Sequence, residues 1–200
     1  MAENFYRDNP DISFHLHYRD LDEVIRLQED GFSGAGVDPE IPDSSEDALD
    51  SYDKALELLG EICGERIAPR AADVDEEGAH LVDGDVQYAQ GTIKNLDDLT
   101  TGQLMGAMLP REYGGLNLPC TIYNMMNELV SRADASLQNL FGLQDIAQTI
   151  YFYGSEEQKK NYLSRFSSGE VDGAMALTEP EAGSDLQAVQ LKAHFDPESN

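Results

Sequence analysis

The residues best suited to chemistry lie in one short stretch, residues 174–185, which reads AMALTEPEAGSD. Its pattern is typical of a short apolar strand, then a turn at Pro180 and a bend of small residues at Gly183 and Ser184. Because Gly183 has no Cβ, backbone amide groups there can approach an anion or a flat ring closely. An ordinary β-turn that binds nothing is the alternative interpretation of the same residues.

Three carboxylates in this stretch, Glu179, Glu181 and Asp185, could suggest acid–base catalysis. Loop carboxylates beside glycine and serine more often accept hydrogen bonds from backbone amides or face water. We therefore predict that these side chains cap amides or are solvated, and that none of them is a catalytic base.

The whole chain is strongly acidic. Its 200 residues include 13 Lys and Arg against 39 Asp and Glu, a formal net charge of −26. A field of this sign repels nucleic acid and anionic lipid headgroups, so neither is an expected partner. A solvated acidic surface explains the composition most simply, and a functional acidic docking face is the alternative.

Cysteine and histidine are too sparse to predict a metal site. Cys63 and Cys120 each lie in an apolar helical pattern, which predicts two buried free thiols. The four histidines form no convincing set of metal ligands. The sequence shows neither a signal peptide nor an apolar run of ~20 residues, so we expect no membrane span and a cytoplasmic location.

The elements that would position the loop begin with an N-terminal region that fits two patterns. Apolar and polar residues alternate over residues 12–18, which suits a strand, whereas residues 16–28 show helical spacing. Residues 31–45 are rich in Gly, Pro and acids and predict a linker. We therefore expect residues 1–44 to form an N-terminal extension and linker.

Apolar residues recur every three or four positions over most of residues 45–171, which predicts a helical domain with Met125 and Met126 in its core. Pro69 is expected to end the first helix, and an acidic loop is expected over residues 73–95. The expected helix starts are, in order, Ser44 or Ser45, Asp97, Pro119, Asp134 and a capping box of Ser155 with Gln158.

After Val171 the period changes from that of a helix to that of a strand. Residues 175–177 and 189–195 alternate between apolar and polar types, which predicts that a β domain begins near residue 172. The predicted fold class is therefore mainly α, with a helical domain followed by the first strands of an incomplete β domain over residues 172–200.

Three segments, in the same order, resemble signatures of the acyl-CoA dehydrogenase family. Residues 175–185 resemble the family's flavin loop. Residues 104–116, with Pro110 and the Gly114–Gly115 pair, resemble its helix end. Residues 154–163 resemble the glycine-started helix that precedes its β domain. The resemblance covers roughly residues 45–200.

The resemblance implies an N-terminal helical domain, a middle β domain and a C-terminal four-helix bundle, with FAD between the last two. This chain would supply the first domain and the start of the second. The implied reaction is α,β-desaturation of an acyl-CoA thioester, in which a carboxylate takes the α proton and hydride passes to flavin N5. Electrons would continue to an electron-transferring flavoprotein, and the full-length protein would be a homo-oligomer.

The same resemblance places no catalytic residue in this chain, because the family's base is a glutamate of the C-terminal bundle, beyond residue 200. The isolated 200 residues are therefore expected to be inactive. An acyl-CoA oxidase-like flavoenzyme and a non-catalytic helical assembly module are the alternative functions.

Five residues of the loop are implied to bind the cofactor. Thr178 would donate from its hydroxyl and N–H toward the flavin edge at N5 and O4, which stabilises charge on a flavin that accepts hydride. Met175 and Leu177 would pack on the ring system; the family often has an aromatic residue where Met175 stands. Gly183 and Ser184 would approach the FAD pyrophosphate, and Ser184 would also contact the acyl-CoA substrate.

Two further features of the sequence belong to the same resemblance. Gln144 would lie near the acyl chain if its helix lines the substrate pocket as it does in the family, whereas exposure at the helix edge is the alternative for Gln144 and its neighbour Asp145. Residues 1–44 resemble extensions of larger family members, including the group that acts on 3-methylmercaptopropionyl-CoA.

Overall fold

A computed structural model describes residues 3–197. The described chain is mostly helical, which confirms the mainly α prediction. The regular elements are, in order, α1 (Pro10–Tyr18), α2 (Asp22–Gln28), α3 (Ser45–Ile62), α4 (Ala71–Glu77), β1 (His80–Val82), β2 (Asp85–Gln87), α5 (Gln90–Thr101), α6 (Cys120–Ala133), α7 (Ala135–Gly142), α8 (Ile146–Tyr153) and α9 (Glu156–Ser167).

The first of these elements decides between the two patterns of the N-terminal region. The Asn9 side chain accepts hydrogen bonds from the amides of Asp11 and Ile12, at 3.2 and 3.3 Å, and so caps a helix. Ile12 and Leu16, one helical turn apart, are both buried. The strand predicted over residues 12–18 is therefore wrong, because the cap and the buried face agree on a helix. The helical spacing over residues 16–28 is confirmed only in part, since α1 ends at Tyr18 and a separate helix, α2, spans Asp22–Gln28.

The chain before α1 lies across α3 at two glycines, Gly60 and Gly64. The Phe5 amide donates to the Gly60 carbonyl at 3.0 Å. A Cβ on Gly60 would lie 2.6 Å from the Tyr6 nitrogen, and one on Gly64 would lie 2.8 Å from the Glu3 carbonyl carbon. Glycine at both positions lets the two backbones touch.

Apolar side chains of residues 1–44 belong to the same core as the helices that follow. The buried members are Phe5, Tyr6, Ile12, Leu16 and Ile25. They share one cluster with Tyr52, Leu56, Leu99, Met126, Phe141 and other residues of α3, α5, α6 and α7. The division of the chain near residue 44 stays a prediction about domains, but the packing joins this region to the main core.

Helix α3 begins as predicted, because the Ser44 hydroxyl accepts from the Asp47 amide at 3.2 Å. The expectation that Pro69 ends the helical path is wrong. The path continues through a π-helical turn, Cys63–Ile67, and a short 3-10 turn into α4. Pro69 lies at the start of the 3-10 turn, where its missing N–H leaves no helical hydrogen bond unmade.

The acidic loop expected over residues 73–95 is also wrong, because part of α4 and a β-hairpin occupy it. Strands β1 and β2 pair antiparallel, with His80 opposite Gln87. Asp83 and Gly84 join them with φ of 54° and 93°. Two successive positive φ angles are what a two-residue hairpin turn of this kind requires, and Asp–Gly is a typical sequence for it.

Helix α5 starts at Gln90, not near Asp97, and ends at Thr101. Its buried face consists of Thr92, Asn95 and Leu99. Two of these three residues are polar, so the face lacks the apolar stripe by which sequence periodicity recognises a helix.

The later helix starts agree with the sequence. The Asp134 carboxylate caps α7 by accepting from the amides of Ser136 and Leu137, at 2.9 and 3.2 Å. The capping box at α9 is complete, with Ser155 N donating to Gln158 Oε1 at 2.8 Å and Gln158 N to Ser155 Oγ at 3.2 Å. Met125 and Met126 lie in the core, as predicted.

The two cysteines differ in environment. Cys63 is buried, and burial raises the pKa of its thiol to about 12. Cys120 is exposed at the first position of α6, so the prediction of two buried thiols is correct only for Cys63. The apolar neighbours of Cys120 in sequence pack inward while its own position faces out.

The strands predicted over residues 175–177 and 189–195 are wrong for this structure. Within the described residues 172–197 the chain is extended or turned, with an isolated bridge between Glu179 and Ala182 and a short 3-10 turn. A strand needs a neighbour to take up its alternate backbone groups, and none of the described residues lies alongside to pair with these segments.

Candidate functional site

The loop that the sequence singled out leaves the end of α9 and passes close to the junction of α7 and α8. A Cβ on Gly173 would lie 2.7 Å from the Leu143 carbonyl oxygen and would overlap the Ile146 side chain. Gly173 therefore fixes where the loop begins, because no larger residue fits. Sequence reasoning missed this residue, and its only sign there was a glycine just before the change of period.

Residues 174–178 run extended and exposed from this point. Met175 and Leu177 are 46% and 45% exposed. Among the described residues, none forms a main-chain hydrogen bond with the backbone of residues 174–178. Their amide and carbonyl groups, and the exposed Thr178 side chain, are therefore available to a ligand or to another strand.

A tight turn follows. The amide of Glu179 donates to the Ala182 carbonyl at 2.8 Å, and the amide of Ala182 donates back to the Glu179 carbonyl at 3.2 Å. The turn brings Thr178 and Gly183 together, since a Cβ on Gly183 would lie 3.8 Å from Thr178 Cγ2 and meet no other atom within 4 Å. Open space thus remains beside Gly183 and the exposed Ser184.

The carboxylates of the loop behave as predicted. Glu179 accepts hydrogen bonds from the amides of Gln190 and Leu191, each at 2.9 Å. Asp185 accepts from the amide of Gln187 at 3.2 Å, and Glu181 is exposed. The prediction that these side chains cap amides or face water is confirmed.

Gln144 and Asp145 are adjacent in sequence but differ in burial. Gln144 is 5% exposed, and neither Nε2 nor Oε1 of its side chain has a hydrogen-bond partner in the described chain. It borders a small cavity of about 10 Å³, lined also by Met108 and Tyr123. Asp145 is exposed at the helix edge, and partial burial raises the pKa of its carboxyl group.

A buried amide with no partner is costly, so Gln144 is the polar side chain best prepared to receive a hydrogen bond from something outside the described residues. The cavity beside it is about the size that holds one water molecule. The structure links Gln144 to the loop through Gly173, which packs on the residues flanking Gln144.

The exposed backbone of residues 174–178, with Thr178 beside an uncovered Gly183, can present hydrogen-bond donors to a flat ring or to an anion. In residues 3–197 we find no group of three or more His, Cys, Asp or Glu side chains arranged to hold a metal ion. Over the same residues, every helix is too short or too polar to cross a bilayer.

Several known proteins are similar to most of this chain. A 3-methylmercaptopropionyl-CoA dehydrogenase of Ruegeria pomeroyi is 37% identical over 154 residues, 74% of this chain and 26% of the relative. A probable acyl-CoA dehydrogenase of Bacillus subtilis is 34% identical, over 68% of this chain and 34% of the relative. An isovaleryl-CoA dehydrogenase of Solanum tuberosum is 31% identical, over 72% and 33%.

The chain thus spans about a third or less of the length of these curated relatives. Residues 50–170 match the family model described as acyl-CoA dehydrogenase, N-terminal domain, and this range covers α3 to α9 apart from a few residues at the start of α3. The chain belongs to the acyl-CoA dehydrogenase family and contains its N-terminal helical domain.

Proposed function

We propose that this chain is the N-terminal portion of a FAD-dependent acyl-CoA dehydrogenase that catalyses α,β-desaturation of an acyl-CoA thioester. The observation that carries the proposal is the open backbone of residues 174–178 beside the uncovered Gly183, in a chain that belongs to this family. The printed names of the relatives, all acyl-CoA dehydrogenases, support the same class of reaction.

The residues present fit the cofactor. FAD would supply hydride acceptance at N5 when bound. Thr178 would donate to the ring edge, where developing negative charge is stabilised by fixed donors. Met175 and Leu177, both half-exposed, would pack on the ring, and a thioether suits contact with an aromatic face. Gly183 and Ser184 would approach the pyrophosphate, since no neighbour fills the space beside Gly183.

Two residues would contact the substrate. Ser184 follows the uncovered glycine and would reach the acyl-CoA from the cofactor side. Gln144 would lie near the acyl chain and offer its unpartnered amide to a polar group or a water molecule there. Both assignments depend on FAD and acyl-CoA occupying the positions that the family resemblance implies.

The catalytic base would be the glutamate beyond residue 200 that the family resemblance implies, and the loop carboxylates are engaged or solvated. Glu179 accepts hydrogen bonds from two backbone amides and Asp185 from one. Electrons would pass to an electron-transferring flavoprotein. We also propose that the full-length enzyme is a homo-oligomer and is cytoplasmic.

The test uses the purified product of the complete reading frame. We expect a flavin absorption spectrum that bleaches when an acyl-CoA is added without oxygen. Colourless protein that takes up no added FAD would favour a non-catalytic assembly module instead. Rapid oxygen consumption during turnover would favour an oxidase.

A substitution tests the role of the loop itself. Thr178→Val keeps the size of the side chain but removes its hydroxyl, and we expect flavin reduction to slow by about tenfold, the worth of one lost hydrogen bond. Thr149→Val, at an exposed position of α8, is the matched control and should react as the wild type does. Equal rates of flavin reduction in the two variants would mean that Thr178 is not part of the cofactor site. For the isolated 200 residues we expect weak or no FAD binding and no turnover.

A further inference from the structure

A buried ion pair joins the N-terminal region to the turn that follows α5. Glu29, just after α2, is 4% exposed. Its carboxylate accepts hydrogen bonds from both terminal nitrogens of Arg111, at 2.6 and 3.0 Å, across a sequence separation of 82. Paired hydrogen bonds of this kind fix direction as well as distance, because the planar guanidinium matches the carboxylate.

Two more donors complete the shell of Glu29. The Tyr52 hydroxyl donates to it at 3.0 Å, and Asn117 Nδ2 at 3.3 Å. Burial and the nearby carboxylate raise the pKa of Tyr52, which keeps the phenol a donor. Asn117 also exchanges hydrogen bonds with Gln28, donating to its backbone carbonyl at 3.1 Å and accepting from its side chain at 3.0 Å. A buried carboxylate satisfied in this way holds its partners firmly.

Arg111 and Asn117 stand near the two ends of one turn, residues 110–117. The amide of Gly115 donates to the Pro110 carbonyl at 3.2 Å, and the amide of Asn117 to the Leu109 carbonyl at 2.9 Å. The turn therefore has its own backbone bonds, while its attachment to the rest of the molecule includes the Glu29 network.

Open space lies on two sides of Arg111, whose side chain is 17% exposed. One cavity, of about 730 Å³, also borders Tyr52 and Gly114, and the other, of about 430 Å³, borders Glu29 and Asn117. Tyr113 and Leu116 of the turn pack against apolar clusters. At Arg111 and Asn117, by contrast, the polar contacts of Glu29 constrain the turn.

The turn also lies against the end of α9. Tyr113 of the turn packs against an apolar cluster that includes Leu163 and Phe166 of α9. Gly106, just before the turn, lies so close that a Cβ there would be 2.7 Å from Ser167 Cβ. Ser167 is buried and is the last residue of α9. The loop of residues 174–185 begins a few residues after the end of α9.

We propose that Glu29 is a positioning residue. Through Arg111 and Asn117 it fixes the turn of residues 110–117, and through Tyr113 it fixes the end of α9 from which the flavin loop departs. The last step rests on the proposed function, whereas the first two do not. The N-terminal region would thereby act on the cofactor site without touching it.

The test compares amide hydrogen exchange in the product of the complete reading frame. Glu29→Gln keeps the shape of the side chain and removes the charge that organises Arg111. We expect amides of residues 110–117 to exchange about tenfold faster, the worth of one lost charge-assisted hydrogen bond, and to accelerate by a larger factor than those of residues 120–133. Unchanged exchange in the turn, or an even increase over both segments, would overturn the proposal.

Asp8→Asn is the matched control. Asp8 pairs with Arg132 of α6, so it also joins the N-terminal region to the core, but both side chains are half-exposed. This variant should leave the turn at its wild-type exchange rates. If Glu29→Gln fails to fold, Tyr52→Phe removes one hydrogen bond to Glu29 at nearly constant volume and should accelerate exchange in the same turn about threefold.

A second readout tests the link to the cofactor. We expect the FAD dissociation constant, followed by flavin fluorescence, to rise several-fold in Glu29→Gln and to stay at the wild-type value in Asp8→Asn. If the wild type binds no FAD, the proposed function fails while hydrogen exchange still decides the positioning role. If the turn loosens but FAD affinity is unchanged, the link from Ser167 to the loop is wrong.

Discussion

The two terminal regions of the described chain contrast in what covers them. Residues 3–44 bury five apolar side chains in the main core and hold a buried ion pair. Residues 172–197 bury Ala182 and leave most other apolar side chains exposed, among them Leu191 and Phe195 at 81% each. Both regions fall outside the range that matches the family model, residues 50–170.

The difference teaches that a neighbour, more than a pattern, decides whether a segment folds. The N-terminal region packs against α3 and α6, and Gly60 and Gly64 of the α3 path let its backbone lie close. The C-terminal region has a clear strand period but no strand to pair with among the described residues. Its conformation is set by one turn and by the amides that Glu179 holds.

The largest expected effect comes from breaking the buried pair. Arg111→Met keeps the length of the side chain but leaves the Glu29 carboxylate, with a side chain 1% exposed, without its cation. We expect a loss of about 3–5 kcal/mol in the free energy of unfolding, since an unpaired buried charge is costly. Urea denaturation measures it. Arg7→Met, which removes the arginine of an exposed pair with Glu57, is the control and should stay near wild type. A loss below about 1 kcal/mol in Arg111→Met would mean that the pair adds little to the joining of the N-terminal region.

The next effect tests the glycine contact between the N-terminal chain and α3. Gly60→Ala gains about 1 kcal/mol in helix propensity, but its Cβ would press on the Tyr6 nitrogen, which is backbone and cannot rotate away. We expect a net loss of about 1–3 kcal/mol, with faster exchange at residues 3–8. Ser51→Ala, at an exposed position of the same helix, should show no loss. A stabilised Gly60→Ala would mean that the N-terminal chain does not lie against α3.

A smaller effect is expected at the exposed pair of the same region. Hydrogen bonds from Arg132 lower the pKa of the Asp8 carboxyl group. A lowered pKa in the folded state gives stability that is present above the unfolded value of about 3.9 and is lost as the pH falls through the folded value. Asp8→Asn should therefore cost about 0.2–1 kcal/mol near neutral pH and less near pH ~2. Denaturation at both pH values measures the difference, and an equal loss at both would exclude the ionic origin.

The smallest effect on stability belongs to the C-terminal region. Glu179→Ala removes the acceptor of two amides, yet we expect the free energy of unfolding of the 200-residue chain to change by less than about 0.5 kcal/mol. Tryptic cleavage at Lys192 should become several-fold faster, because residues 190 and 191 are released. Glu181→Ala, at an exposed position of the same turn, should leave cleavage unchanged. A loss above about 1 kcal/mol in Glu179→Ala would contradict the contrast between the two regions.

The features that could be predicted are those encoded within a few residues. Ser44, Asp134 and Ser155 predict helix starts correctly, because a capping side chain accepts from amides only two or three positions away. The role of the loop carboxylate Asp185 follows from the same short-range chemistry, because it accepts from an amide two positions away. The family resemblance also rested on contiguous motifs.

The features that could not be predicted depend on partners distant in sequence. Nothing near Glu29 indicates that Arg111 will meet it, and nothing near Gly60 indicates that residues 4–6 will cross it. The start of α5 was missed because its buried face carries Thr92 and Asn95. The hairpin at Asp83 and Gly84 was missed for a different reason. Its Asp–Gly turn is a local signal that the sequence contains and that sequence reasoning could have used.

The contact between Asp8 and Arg132, 124 positions apart, has a consequence for how the chain is made. At a synthesis rate of about 5–20 residues per second, Arg132 follows Asp8 out of the ribosome by roughly 6–25 s. During that interval Phe5 and Tyr6 can reach α3, but the contacts of their region with α6 and with the turn after α5 do not yet exist. Residues 3–44 therefore cannot complete their contacts until α6 has been synthesised, and their contacts with α3 can form earlier than their ion pair with Arg132.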